Sequence, residues 1–181
     1  MSDIALVVLA IVAVNPWQLR IRLGAGVSTV RAGVLLGAVG GATVAAMGLA
    51  VLGGRLPDLL DTAPATIEIG VGLVVGLVGA ASLIAPGHRR EALTGERQDS
   101  LIPLVYPLML GPGPIAVWVT IGSDRGLAFA ALLAGFVHGA AAILAGRRVR
   151  RASVWDGTAR LAGCIAVVLA VALVIAGVRE V

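Results

Sequence analysis

The chain has 181 residues, 59% of them hydrophobic and 13% charged, with a formal net charge of +4 and a mean hydropathy of +1.01. A water-soluble domain of this length has too little interior to hide so much apolar surface, so the composition excludes one and indicates several helical membrane spans. Nucleic acid is excluded as a partner too: the basic residues are all Arg in short loops, and aromatics are only 3%, which leaves no stacking platform for bases.

The N-terminal stretch "MSDIALVVLAIVAVNPWQLR" has an acidic start and lacks both the basic n-region and the small-residue cleavage site of a signal peptide. It reads as a retained first span over about 4–23, interrupted at Asn15-Pro16. A second span is expected over about 28–53, stopped by Gly53-Gly54 and then Pro57. The third covers about 66–85 and ends at Pro86-Gly87. The fourth covers about 101–121 and is interrupted from Gly111 to Pro114, in a segment holding four of the eight prolines. The fifth follows over about 126–146, after a Ser123-Asp124-Arg125 link that makes a tight helical hairpin, and the sixth spans about 158–178. Each length suits a bilayer crossing of about 20 residues.

Six spans put the loops at about 20–31, 87–100 and 147–160 on one side. Those loops carry eleven Arg residues, while Arg55, Arg125 and Arg179 are the three on the other side. The asymmetry places the Arg-rich loops in the cytoplasm and both termini outside. Arg147, Arg148, Arg150 and Arg151 form a cluster suited to anionic lipid head groups. Gly33, Gly37 and Gly41, Gly72 and Gly76, and Gly135 and Gly139 recur at four-residue spacing, which lets membrane helices approach closely. Whether such faces also serve a homo-oligomer is left open.

The interruptions at Asn15-Pro16 and Gly111-Pro112 lie about 96 residues apart, and the spans that follow keep a similar offset. The chain thus reads as one membrane domain over 1–181, with a first repeat at about 1–87, a cytoplasmic linker at 88–100 and a second repeat at about 101–181. An odd number of spans per repeat inverts the second repeat relative to the first. The fold expected is all-α, six transmembrane helices in two inverted three-helix repeats, with helices 1 and 4 broken. Paired breaks at matching positions of inverted halves point to a transporter's binding site. A broken helix exposes backbone groups that hydrocarbon cannot satisfy, so it needs protein, water or a ligand there. The bland reading is a pair of proline kinks that serve packing alone.

"LIPLVYPLMLGPGPIAVWVT" with "VAVNPW", the Gly-rich "IEIGVGLVVGLVGAASLI" and the final "RLAGCIAVVLAVALVIAGV" resembles the MarC family of the LysE-type transporter superfamily. The resemblance covers nearly the whole chain and is specific in span four. It implies six spans in inverted repeats, a bacterial inner-membrane location, and transport of small neutral amino acids with suspected proton coupling. Where the family has a small residue and a second proline after the first Asn-Pro, this chain has Trp17 and Gln18, then Arg20 and Arg22.

The candidate substrate-binding residues are Asn15, Pro16, Tyr106, Gly111, Pro112, Gly113 and Pro114. His138, roughly mid-span in the fifth helix, is the candidate for a coupling proton, with a neutral side chain satisfied by a neighbouring carbonyl as the alternative. Cys164 is the single cysteine, which rules out an intrachain disulfide, and its plain reading is a small packing residue. No metal cluster, cofactor motif, nucleophile-base pair or phosphate loop is present in the sequence, so an enzyme is not expected. The expectation is a secondary transporter working by one repeat rocking against the other. The alternatives are an exporter or flippase of a larger or lipid-linked substrate, or a non-transporting membrane scaffold.

Overall fold

The computed structural model describes residues 1–23, 32–84, 102, 104–146 and 152–180. Every regular element among them is helical: α1 (Asp3–Val14), α2 (Pro16–Leu23), α3 (Ala32–Leu60), α4 (Pro64–Ile84), a π-helical turn (Leu104–Met109), α5 (Pro112–Gly146) and α6 (Ala152–Glu180). Four stretches, Gly33–Leu60, Pro64–Ile84, Pro112–Leu144 and Ser153–Glu180, are long and apolar enough to cross a membrane, and Asp3–Leu19 is a shorter apolar one. These are the features of a membrane-embedded helical protein.

Two of the long helices turn small residues inward, and the bundle leaves many large ones outside. α3 turns Ala38, Ala42, Ala46 and Ala50 inward, and α6 turns Ala159, Ala162, Ala166 and Ala170 inward, all buried. Leu36, Leu77, Leu132, Phe136, Ile143 and Val168 point outward and are each more than 60% exposed. In water that surface would be a standing liability; against lipid tails it costs nothing, and the alanines let helix axes come close.

Two seams use this freedom to the limit. Along α4 and α6, a Cβ on Gly79 would sit 2.9 Å from the Gly163 carbonyl, and one on Gly163 would sit 3.0 Å from the Gly79 carbonyl. Along α3 and α5, a Cβ on Gly53 would overlap the Val119 backbone, and one on Gly122 would overlap the Ala50 backbone. The four-residue glycine repeats are only partly these contacts. A methyl on Gly72 would stand 2.9 Å from the Ala170 carbonyl, but one on Gly33, Gly135 or Gly139 would have nothing within 4 Å. Spacing fixes a helix face without saying what covers it.

α5 doubles back on itself. The Trp118 and His138 rings lie with centroids 5.7 Å apart, whereas a continuous helix would hold them about 30 Å apart. The reversal is at Gly126, with φ 77° and ψ 179°, a conformation essentially reserved for glycine. The hairpin thus turns at one residue, and Ser123, Asp124 and Arg125 stay helical.

Arg125 at this turn pairs with Asp3 at 3.0 Å, and its Nη2 donates to the Met1 carbonyl at 2.6 Å. Glu68 is within electrostatic reach of Asp124, the amino terminus and Glu180. The start of the chain, the end of α6 and the Gly126 turn therefore share one end of the bundle.

Three expected boundaries move. α3 runs through Gly53, Gly54 and Pro57 to Leu60, because the glycines serve the α5 seam and neighbouring helices stabilise a proline-bearing membrane helix. α6 begins at Ala152, so Arg160 lies within a helix, donating from Nη1 to the Leu83 carbonyl at 3.0 Å and from Nε to Asp156 at 2.9 Å. Pro112, Gly113 and Pro114 are not unwound; they form the first turn of α5. Proline is at home there because first-turn amides have no intrahelical partner to lose. The linker 88–100 and Arg147, Arg148, Arg150 and Arg151 lie outside the described residues.

Candidate functional site

At the first break Asn15 adopts φ 47° and ψ 70°, the left-handed conformation that ends α1. Asn tolerates this better than other residues with a side chain. Its amide donates to the Ile11 carbonyl at 3.0 Å, closing α1. Its Oδ1 accepts from the Gln18 amide at 3.1 Å, capping α2. Its Nδ2 donates to the Ala159 carbonyl of α6 at 3.2 Å in a buried contact. One side chain thus ends one helix, starts the next and ties the joint to a third. Pro16, buried beside it, is the first residue of α2.

At the second break the π-helical turn contains an extended residue, Tyr106, with φ −130° and ψ 130°. The Leu110 amide donates to the Val105 carbonyl at 2.9 Å, and the Ile115 amide to the Gly111 carbonyl at 3.0 Å. The non-helical joint is therefore Leu110-Gly111, and α5 starts afresh at Pro112.

The prolines answer a problem of donors. A helix start leaves its first amides without partners, and in hydrocarbon each costs several kcal/mol. Pro112 and Pro114 have no amide hydrogen, and Ile115 is bonded to Gly111. In that turn only Gly113 keeps an amide free to donate. The first break arrives at the same arrangement differently: Pro16 has no amide hydrogen and Gln18 is held by Asn15, which leaves Trp17.

A cavity lies between the two breaks, lined by Val12, Ala13, Asn15 and Gln18 from the first, Gly113 from the second, Val75, Val78, Gly79 and Ser82 from α4, and Gly163 and Ala166 from α6. It offers about 20 Å³ to the centre of a water molecule, room for about one water and less than any amino acid requires. Among the described residues, the polar side chains on its wall are those of Asn15, Gln18 and Ser82, and none of these is charged. Ser82 spends its proton on the Val78 carbonyl at 2.9 Å, which leaves its oxygen as an acceptor.

Of the residues expected from sequence, Asn15 and Gly113 line this cavity. Pro16, Gly111 and Pro114 are buried in the two joints, while Pro112 and Tyr106 are exposed. His138 is fully buried elsewhere, with Nδ1 3.5 Å from Thr43 Oγ1 and its ring against Trp118. Gln18 and Ser82 escape a reading of the sequence. Gln18 stands one turn beyond Asn15, a spacing that could have pointed to it; Ser82 has no local signal. Cys164 is exposed rather than packed. Among the described residues no cluster of metal-ligating side chains forms.

Comparison of the chain with protein-family models, with curated proteins and with solved structures finds no match.

Proposed function

We propose that the protein is a secondary transporter of a small polar solute without net charge, in the neutral amino acid class. The observation that supports it most is the cavity shared by both helix breaks. Breaks that served only as kinks would have no reason to converge on one polar-walled space. In this reading α1 and α2 form one broken span, and the π-helical turn with residues 112–125 forms the other. With α3, α4, residues 127–146 and α6 they make six spans in two inverted repeats. Both termini face outward and the Arg-rich loops lie in the cytoplasm of a bacterial cell.

The lack of charge among the described wall residues favours a solute that brings balanced charges of its own. The Gly113 amide suits its carboxylate, and acceptors such as Ser82 suit its ammonium group. The cavity as it stands has room for about one water, so solute binding requires its wall to part. The resemblance of span four to the MarC family supports the same solute class.

The test is uptake of labelled neutral amino acids by purified protein in proteoliposomes, with and without an imposed pH gradient. Saturable uptake that Gly113→Ala weakens is expected, since the added methyl would press on Val78 Cγ1 at 3.3 Å. No uptake of any amino acid by well-folded protein would refute the reading. Lipid scrambling in the same vesicles would favour a flippase, and neither activity would favour a scaffold.

A further inference from the structure

Away from the cavity, two side chains in touch with each other are fully buried and carry no hydrogen-bond partner on one nitrogen: Trp118 at Nε1 and His138 at Nε2. Their ring centroids are 5.7 Å apart and their planes are tilted by 46°. Burying such atoms unpaired is costly and uncommon, and here the two belong to one contact. The other ring nitrogen of His138 has a polar neighbour. Thr43 Oγ1 of α3 stands 3.5 Å from Nδ1. Nε2 has no partner, and the Thr43 hydroxyl can either donate to Nδ1 or accept from it, so the ring has an open position whichever nitrogen carries the proton.

We propose that His138, with Thr43 and Trp118, is a proton-binding site set apart from the solute cavity and linked to it by the first half of α5. The link is covalent and short. Trp118 and Gly113 are on the same helical segment, 112–125, and Gly113 is the part of that segment on the cavity wall. Binding a proton turns the ring into a cation beside an indole within about 6 Å, the range of cation–π attraction. That draws Trp118, and with it the start of α5, toward residues 127–146. Losing the proton releases it. The titratable and charged surroundings are simple: α3 presents Thr43, residues 112–125 present Trp118, and no charged side chain among the described residues acts on His138. The proton site rests on the geometry alone; its role in driving a solute rests on the transport reading above.

The two are separable by experiment. In Trp17→Phe, Trp155→Phe protein in lipid nanodiscs, Trp118 is the sole tryptophan, and an imidazolium in ring contact quenches indole emission. Titration from about pH 8 to about pH 3 is expected to quench the emission reversibly in one step. His138→Gln should abolish the step, and Thr43→Val should move its midpoint. Emission that stays constant, or a step that survives His138→Gln, would overturn the site whether or not the protein moves a solute. For the link, Ser82→Cys in a Cys164→Ser background reports access to the cavity through its rate of alkylation. Comparing this protein with its His138→Gln counterpart at each pH cancels the ordinary rise in thiolate. A pH-dependent difference between the two is expected, following the fluorescence midpoint. Equal rates at every pH, with the Trp118 step intact, would overturn the link and leave the proton site standing.

Discussion

Asn15 is the residue whose replacement should say most about the first break. Its side chain makes one capping bond to Gln18 and one buried bond to the Ala159 carbonyl, and its backbone is left-handed. In Asn15→Ala the cap is lost, but the Gln18 amide also reaches the Asn15 carbonyl at 2.9 Å, so that loss is at the low end, about 0.5 kcal/mol. The Ala159 carbonyl is left buried without its donor, at about 1–3 kcal/mol. Alanine in the left-handed region adds about 1 kcal/mol. Together these come to about 3 kcal/mol. Asn15→Gly loses the same two bonds but not the backbone preference, so it should be milder than Ala by about 1 kcal/mol. Asn15→Asp keeps the cap and sets a carboxylate against a carbonyl. Only its protonated form can donate to Ala159, so protonation is favoured in the folded state and the variant should gain stability as pH falls. The assay is reversible unfolding in mixed micelles, with the four proteins compared at neutral and acidic pH. Asn15→Ala within about 0.5 kcal/mol of the parent, or Gly worse than Ala, would refute the account of this joint.

Gly53→Ala and Gly122→Ala, where the new methyl meets backbone, should each cost about 3 kcal/mol or prevent folding. Gly135→Ala and Gly139→Ala, with nothing within 4 Å, should be neutral or stabilise by up to about 1 kcal/mol, as read by thermal unfolding in detergent. Pro114→Ala should bring none of the roughly 3 kcal/mol that exchange of Pro for Ala yields inside a helix, because it adds an amide hydrogen with no partner; clear stabilisation in the same melts would contradict the donor argument. A reporter active only in the cytoplasm, fused after Val181, should be silent, and strong activity would overturn the orientation drawn from the Arg asymmetry.

What could be read from the sequence was mostly punctuation. Asn15-Pro16 is legible because Asn accepts a left-handed backbone and Pro starts a helix, two local properties. The position of the second break is legible for the same reason. Its form is not, because proline disrupts a helix interior yet suits a first turn, and only the fold decides which of these holds at Pro112 and Pro114. α3 outran its expected end because local propensity, about 1 kcal/mol for a glycine, gave way to packing of Gly53 on the Val119 backbone. The cavity was out of reach for another reason: Ser82 and Gly163 come from helices whose register against α1 is a matter of three dimensions. The Trp118–His138 pair likewise exists only because the chain reverses at Gly126.

The glycine seams also bear on which parts of the molecule can move. Gly79 and Gly163 lock α4 to α6, and Gly53 and Gly122 lock α3 to α5. Each locked pair takes one helix from the first half of the chain and one from the second. Swinging the halves against each other as rigid blocks would shear backbone over backbone along both seams at once. The close backbone contacts instead tie residues 112–125 to α3 and tie α4 to α6, two packed pairs with the cavity between them. The cavity wall takes Gly113 from one pair and Ser82 and Ala166 from the other. A cross-link between α3 and residues 112–125, or between α4 and α6, should leave motion intact, while one placed between Gly113 and Val78 should freeze it.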